Sequence, residues 1–429
     1  MTDSHSTSTE PRAVASGRVD GAVAPPPSKS ATHRAFNLAL LAGRPTTIER
    51  PLIAEDSELF LAALRELGWA VERDDDAVRL TPGEPPVSAR LHCGNAGTMA
   101  RFLTATLTAL SGEWRLDGVA RLRERPVGAL VEALRSAGAR IDYLGAEGYF
   151  PLRIAGGSLR GGTVRIEAGQ SSQYVSALLM AGLRGSEPLR IEISSLVSAP
   201  YVELTLQSME RFGAACERRA EGFTVAPQSF GTARTRIEGD WSAAAYPAAA
   251  AALAGRVRLR GLDPRSRQGD RAFLDLLARM GAQVRTSEDE VEIARGGELV
   301  AVDADLAAMP DQVPTLAALA PFARGTTRIR RVAHLRIKES DRLAAMSDAL
   351  RRIGAEVEEL ADGLVIPGLW AAAEPPRAPV VIDPHGDHRI AMSLAVAGLR
   401  RPGIRIADAH VVGKSYPAFW DDFETLVRP

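Results

Sequence analysis

Lys29 and Arg34 stand at the opening of an apolar segment, within Pro25-Pro-Pro-Ser-Lys-Ser-Ala-Thr-His-Arg34. Prolines hold the approach extended, and small hydroxyl residues then start a helix. A helix start offers unpaired N–H groups and the positive end of its dipole. With two cations added, the segment makes an anion cradle, although a plain capped helix has the same pattern. Leu91-His-Cys-Gly94-Asn-Ala-Gly97-Thr98 is a glycine-rich loop entering a helix, suited to close backbone approach or to a tight turn. It lacks the Gly-Lys-Ser/Thr of a P-loop and the spacing of a dinucleotide fingerprint. Arg121-Leu-Arg-Glu-Arg125-Pro126 gathers three arginines, whose planar forks suit carboxylate and phosphate oxygens; Arg121 is the preferred contact. Gln170-Ser171-Ser172-Gln173-Tyr174 brings more hydroxyls and amides to a helix start than capping requires. Ser198-Ala-Pro-Tyr201 is a weaker phrase, with Tyr201 equally suited to a core.

The densest cluster lies in the second half. Met309-Pro-Asp311 puts an acid at a strand-to-helix corner. His334-Leu-Arg-Ile-Lys338-Glu339-Ser-Asp-Arg342 spaces Lys338 and Arg342 for one helix face, with Glu339 beside them. A surface ion-pair network would use the same spacing. Asp387-His388-Arg389 and Gly413-Lys414-Ser415 read as two further helix starts. No Ser-His-Asp, His-Glu-x-x-His or Cys-x-x-Cys arrangement supports a hydrolytic triad or a zinc site.

The elements that must carry these groups repeat. Leu or Met, three residues, then Gly recurs at Gly68, Gly138, Gly213, Gly281 and Gly354, spaced 70, 75, 68 and 73 residues apart. A glycine just past an amphipathic helix is the expected left-handed cap. A second set of apolar helices lies between them, at Ala31–Leu41, Thr98–Leu110, Ser172–Ala181, Ala243–Ala254, Val313–Ala323 and His388–Leu399. The pattern predicts an α/β fold of six similar units in two domains of three. We expect a disordered polar tail over 1–20, a first domain over 21–238 and a second over 239–429, with the chain start able to pack against the second.

Composition narrows the class. The 429 residues are 45% hydrophobic and 24% charged, with a formal net charge of −1, which is a globular balance. The absence of a basic excess disfavours nucleic acid as a partner. No apolar run reaches the roughly 18 residues a membrane span needs. Cys93 and Cys216 read as small buried hydrophobes in a reducing compartment, and the polar start has no secretory apolar core.

Seven phrases in order resemble the enolpyruvyl transferase family, in the branch that acts on shikimate 3-phosphate. They are Ser28–Arg34, Gly94–Thr98, Arg121–Pro126, Ser171–Gln173, Arg336–Arg342, Gly386–Arg389 and Lys414–Pro417, and the resemblance runs from about Gly21 to Phe423. It implies two similar domains, each of three β-α-β-α-β-β units (an inside-out α/β barrel), with substrates in the cleft between them. It implies that Lys29, Ser30, Arg34, Ser171, Ser172, Gln173, Ser198 and Tyr201 hold shikimate 3-phosphate, with Asp311, His334 and Lys338 also at that substrate. Lys29, Gly97, Arg121, Gln173, Arg342, Arg389 and Lys414 would hold phosphoenolpyruvate. Asp311, Glu339, Lys29 and Lys338 would be catalytic, in an addition followed by an elimination. Seven cations (Lys29, Arg34, Arg121, Lys338, Arg342, Arg389, Lys414) face two anions (Asp311, Glu339), as two substrates each bearing a phosphate and a carboxylate would require. The sequence departs from the commoner family pattern at Pro26-Pro27, Phe102, Ala199 and His334. The resulting expectation is a cytoplasmic monomer acting on small molecules, without cofactor, metal, nucleic acid or membrane. The sister branch acting on UDP-N-acetylglucosamine and a non-catalytic anion-binding relative are the alternatives.

Overall fold

The computed structural model describes residues 10–368 and 378–428. Its helices fall into two sets, as the periodicity predicts. Lys29–Ala42, Gly97–Ala109, Gln173–Gly182, Trp241–Ala254, Val313–Leu319 and His388–Gly398 are apolar on nearly every face and almost wholly buried. A helix without a polar face finds a stable place only inside a core. Trp241–Ala254 is the extreme case: all its residues are buried, Pro247 included, and its alanines let neighbouring helices approach closely. Five outer amphipathic helices end at Gly68, Gly138, Gly213, Gly281 and Gly354, at φ between 70° and 100°, where a side chain would be strained. A sixth outer helix, Phe419–Leu426, runs directly into the strand Val427–Arg428 with no glycine cap, so the glycine pattern did not mark it.

Among the described residues the strands form six small sheets. In four of them a parallel pair is extended by two antiparallel strands, as in Ser88–His92, Glu113–Asp117, Leu152–Ala155 and Arg140–Tyr143, and in a fifth by three. The helix Gly97–Ala109 connects the first two of these, and Gln173–Gly182 and His388–Gly398 connect the parallel pairs of their own sheets. The sixth sheet joins Val380–Ile382 and Ile404–Ile406 to the antiparallel strand Arg12–Ala13.

Buried apolar residues separate into two cores. One runs from Ala31 to Ile237, and the other joins Val14, Val19 and Val23 to Trp241–Leu426. The strands at Arg12–Ala13 and Arg18–Val23 therefore correct the expectation of a disordered tail where it covers 10–20 and of a first domain starting at 21; positions 1–9 of that expected tail lie outside the described residues. Val19 and Val23 point inward from a strand that pairs in parallel with Gly255–Arg260 and antiparallel with Val427–Arg428, so this stretch belongs to the second lobe. The chain crosses between lobes at two adjacent segments, where Ser28 N–H donates to Glu238 O at 2.8 Å and Asp240 N–H to Pro26 O at 2.8 Å. Asp240 tightens this hinge. Its Oδ1 accepts from the N–H groups of Ser242 and Ala243, and its Oδ2 accepts from Lys29 N–H at 3.1 Å. One carboxylate thus caps an inner helix of each lobe.

Candidate active site

The inner helices of both lobes start at the cleft between them. A cavity of about 610 Å³ lies there, lined from the first lobe by Lys29, Ser30, Arg34, Ser172, Gln173, Ser198 and Tyr201. Asp311, Lys338, Glu339, Arg342 and Arg389 line it from the second. Converging helix starts and buried cations make the space strongly favourable to anions.

Asp311 sits on the short turn Pro310–Gln312 that opens Val313–Leu319. Its Oδ1 pairs with Arg342 Nη1 and its Oδ2 with Arg389 Nη2, both at 2.8 Å. Arg342 is clamped from three sides. Nε meets Asp387 Oδ2 at 2.8 Å, Nη2 meets Glu339 Oε2 at 2.9 Å, and Nη1 holds Asp311. Arg389 Nη1 also donates to Ser242 Oγ at 2.6 Å. Burial alone would raise the Asp311 carboxyl, but Arg389, Arg342 and Lys338 outweigh it and hold it below the usual range. Glu339 is likewise held well below its usual value, with Arg342, Arg125, Lys29 and Lys414 overriding burial. Burial pulls the Lys338 ammonium down to about 8, against the attraction of Asp311 and Glu339.

Gln173 is fixed at both ends. Arg101 Nη1 donates to its Oε1 at 2.8 Å, and its Nε2 donates to Thr98 Oγ1 at 2.9 Å. Ser171 Oγ accepts from Gln173 N–H at 3.2 Å and so serves the helix start rather than facing the cavity. Arg34 spends its three donor nitrogens on Thr205 Oγ1, Ser30 O and Tyr201 O, tying two helices while still lining the cavity. His334 is buried beside the cavity with Nε2 3.4 Å from Ser198 Oγ, and burial lowers its imidazole to about 4, so it is neutral. Ser198 takes a left-handed backbone at φ 54° as it reaches across the cleft.

Three expectations need correction. Arg121 does not line this cavity but an adjoining pocket, with Asn95, Glu339 and Ser340. It donates to the main-chain oxygens of Arg336 and Lys338 and pairs with Glu124, latching the lobes together. Arg125, one helical turn on, is the arginine that lines the cavity; it is 2% exposed, packs against Gly97, and donates to Asn95 O and Oδ1 at 3.0 and 3.1 Å. Lys338 and Arg342 do not share a helix face. Lys338 is extended after the turn Ala333–Ile337, and the helix begins at Arg342 behind the Asp341 cap. The stretch at Lys414 ends a turn, Ala409–Lys414, instead of starting a helix.

Lys414 nonetheless reaches the site, through a carboxylate the sequence reading passed over. Asp56 is buried and holds Lys29 Nζ at 3.2 Å from one lobe and Lys414 Nζ at 3.0 Å from the other. Asp387 was read only as a helix start, yet it is fully buried and anchors both Arg342 and Ser340 Oγ. Only its neighbours in Gly386-Asp-His-Arg389 signalled it.

The chain also matches known proteins along nearly its whole length. The family model for EPSP synthase (3-phosphoshikimate 1-carboxyvinyltransferase) matches residues 14–423. A 3-phosphoshikimate 1-carboxyvinyltransferase of Syntrophobacter fumaroxidans is 46% identical over 410 residues, covering 94% of this chain and 96% of the relative. That of Thermococcus kodakarensis is 42% identical over 411 residues, covering 96% and 98%. Among solved structures, an EPSP synthase from Acinetobacter baumannii superposes with a TM-score of 0.78 at 27% identity, covering 97% and 98% of the two chains. The enolpyruvyl transferase NikO from Streptomyces tendae shares the fold with a TM-score of 0.78 at 20% identity, covering 97% and 96%. Sequence along nearly its whole length and fold together show that this chain belongs to the EPSP synthase (3-phosphoshikimate 1-carboxyvinyltransferase) family.

Proposed function

We infer that the protein transfers the enolpyruvyl group of phosphoenolpyruvate to the 5-hydroxyl of shikimate 3-phosphate, releasing phosphate, a step of aromatic amino acid biosynthesis. The observation that carries the residue roles is the single cavity in which Asp311 and Glu339 face Lys29, Arg125, Lys338, Arg342 and Arg389. Ser30, Arg34, Ser172, Gln173, Ser198 and Tyr201 form the wall suited to the hydroxyls and phosphate of shikimate 3-phosphate. Arg125, Arg342, Arg389 and Lys414 suit the phosphate and carboxylate of phosphoenolpyruvate.

In the addition, the 5-hydroxyl O–H breaks, its oxygen bonds to C2, and Asp311 accepts the proton. Glu339 gives a proton to the methylene carbon, while Lys29 and Lys338 stabilise the developing charge. In the elimination, Glu339 takes a proton back from that carbon and the C2–O bond to phosphate breaks. Glu339 needs a proton to begin, and the cations around it hold it ionised. The substrates' own phosphates and carboxylates would offset those cations, so their arrival raises the Glu339 carboxyl toward a protonated state.

The same reading expects a cytoplasmic monomer. Both cysteines are free, as a reducing compartment leaves them, and one chain completes the cavity. Phosphate release from phosphoenolpyruvate tests the reaction. Release that requires shikimate 3-phosphate supports it; release only with UDP-N-acetylglucosamine overturns the acceptor, and none with either overturns the chemistry.

A further inference from the structure

Tyr201 stands between two carboxylates. Its hydroxyl lies 3.0 Å from Asp311 Oδ2 and 3.0 Å from Asp270 Oδ2. A phenol carries one proton and can donate to only one of these oxygens. The other contact brings two acceptors together unless a second proton is shared along the line. Asp270 is buried on the short turn Gly269–Ala272, and its Oδ1 is fixed by Gln312 Nε2 at 2.8 Å. It makes no ion pair among the described residues.

These three groups also join two spaces. Asp311 lines the reaction cavity, Asp270 lines a second cavity of about 470 Å³ beside the hinge, and Tyr201 lines both. The groups acting on Asp270 are Tyr201, Gln312, Asp311, Asp240 and Arg389, with Lys29 on the wall of the second cavity. Burial and then Asp311 push the Asp270 carboxyl up to about 6, against the pull of Arg389. Asp311 itself, with two guanidinium partners, is the poorer resting place for a proton.

We propose that Tyr201 and Asp270 form a relay that carries the hydroxyl proton away from Asp311 toward the second cavity. The inference rests on Asp311 being the group that first accepts that proton. The substrate O–H breaks and its proton joins Asp311 Oδ2. Asp311 then donates to the Tyr201 oxygen as the Tyr201 hydroxyl proton passes to Asp270 Oδ2. Tyr201 ends as a phenol, Asp311 as a carboxylate and Asp270 as a carboxylic acid, which then releases the proton to solvent by way of the second cavity. Asp270 touches no substrate and acts only through Tyr201.

Single-turnover rates and pH profiles of Asp311→Asn and Asp270→Asn test this. The relay predicts that Asp270→Asn slows the addition by about 10²-fold, as loss of a proton-transfer group does, with KM for both substrates unchanged and the acid limb near pH 6 abolished. A wild-type rate in Asp270→Asn, a loss confined to KM, or an unchanged acid limb overturns the relay. A wild-type rate in Asp311→Asn overturns instead the assignment of Asp311 as proton acceptor. If Asp270→Asn fails to fold, Gln312→Leu decides: it removes the donor that holds the Asp270 carboxyl down, so the relay predicts that the acid limb moves to higher pH, and an unmoved limb overturns it.

Discussion

Replacing Gly97 by alanine probes the grip on phosphoenolpyruvate with a single methyl group. Gly97 opens the helix Gly97–Ala109 with an ordinary backbone, so alanine is tolerated there and the fold is kept. The added Cβ would stand 2.6 Å from Arg125 Cζ and 2.8 Å from its Nη1, and ordinary contact begins near 3.4 Å. Nη2 is the closest of all, so the guanidinium must retreat by about 1 Å. That movement stretches its bonds of 3.0 and 3.1 Å to Asn95, and a hydrogen bond to a charged group is worth about 1.5–3 kcal/mol. A displacement of about an ångström at a gripping residue costs on the order of 10²-fold. Steady-state kinetics should show KM for phosphoenolpyruvate raised by about 10- to 100-fold. KM for shikimate 3-phosphate should stay unchanged, because the bonds that Arg125 would lose go to Asn95 and not to the residues assigned to that substrate. An unchanged KM for phosphoenolpyruvate would refute the assignment of Arg125 to that substrate.

The rate should fall on the alkaline side as pH rises through about 8, where Lys338 loses its charge, and Lys338→Arg, if it turns over, should carry that limb beyond the measured range. Asp240→Ala removes the cap of Trp241–Ala254 and the tie to Lys29, and should lower stability by about 1–2 kcal/mol, read as a drop in Tm by calorimetry. His33 and His334 are buried and neutral, with burial lowering them to about 3 and about 4. The unfolded imidazoles take up protons below about 6.5 while the native ones do not, so stability is full above that pH and declines as pH falls toward 4. His33→Leu should flatten the decline of Tm with pH over that range, and an unaltered slope would exclude His33 as its source.

The sequence made the repeat legible because the glycine caps have no substitute: Gly68 through Gly354 all sit where other residues are strained. The inner helices were equally readable, since Ala243–Ala254 has no polar face to expose. Choosing Arg121 over Arg125 failed for a geometric reason. Arg121 lies in the short helix Ala120–Arg123 and Arg125 just past it, and their places are set by partners far along the chain, Arg336 and Lys338 for Arg121 and Asn95 and Gly97 for Arg125. Asp56 was invisible for another reason. An acid in the first turn of a helix is ordinary, and its partners Lys29 and Lys414 meet it only when the lobes come together. Lys338 and Arg342 had helical spacing, but the Asp341 cap starts the helix between them. The strand Arg18–Val23 was lost in a polar stretch because its partners at Gly255–Arg260 lie far along the chain.

That strand sets the order in which the protein can be made. The first lobe's core is contiguous, from Ala31 to Ile237, and is complete when little more than half the chain has been translated. The second lobe's five-stranded sheet places Arg18–Val23 between Gly255–Arg260 and Val427–Arg428, so segments far apart along the chain are neighbours in it. At roughly 5–20 residues per second, the opening strand waits many seconds on the ribosome for its partners. A nascent chain therefore carries a finished first lobe behind an unpaired strand, and the active site, which needs both lobes, cannot assemble until the second lobe's strands have been made.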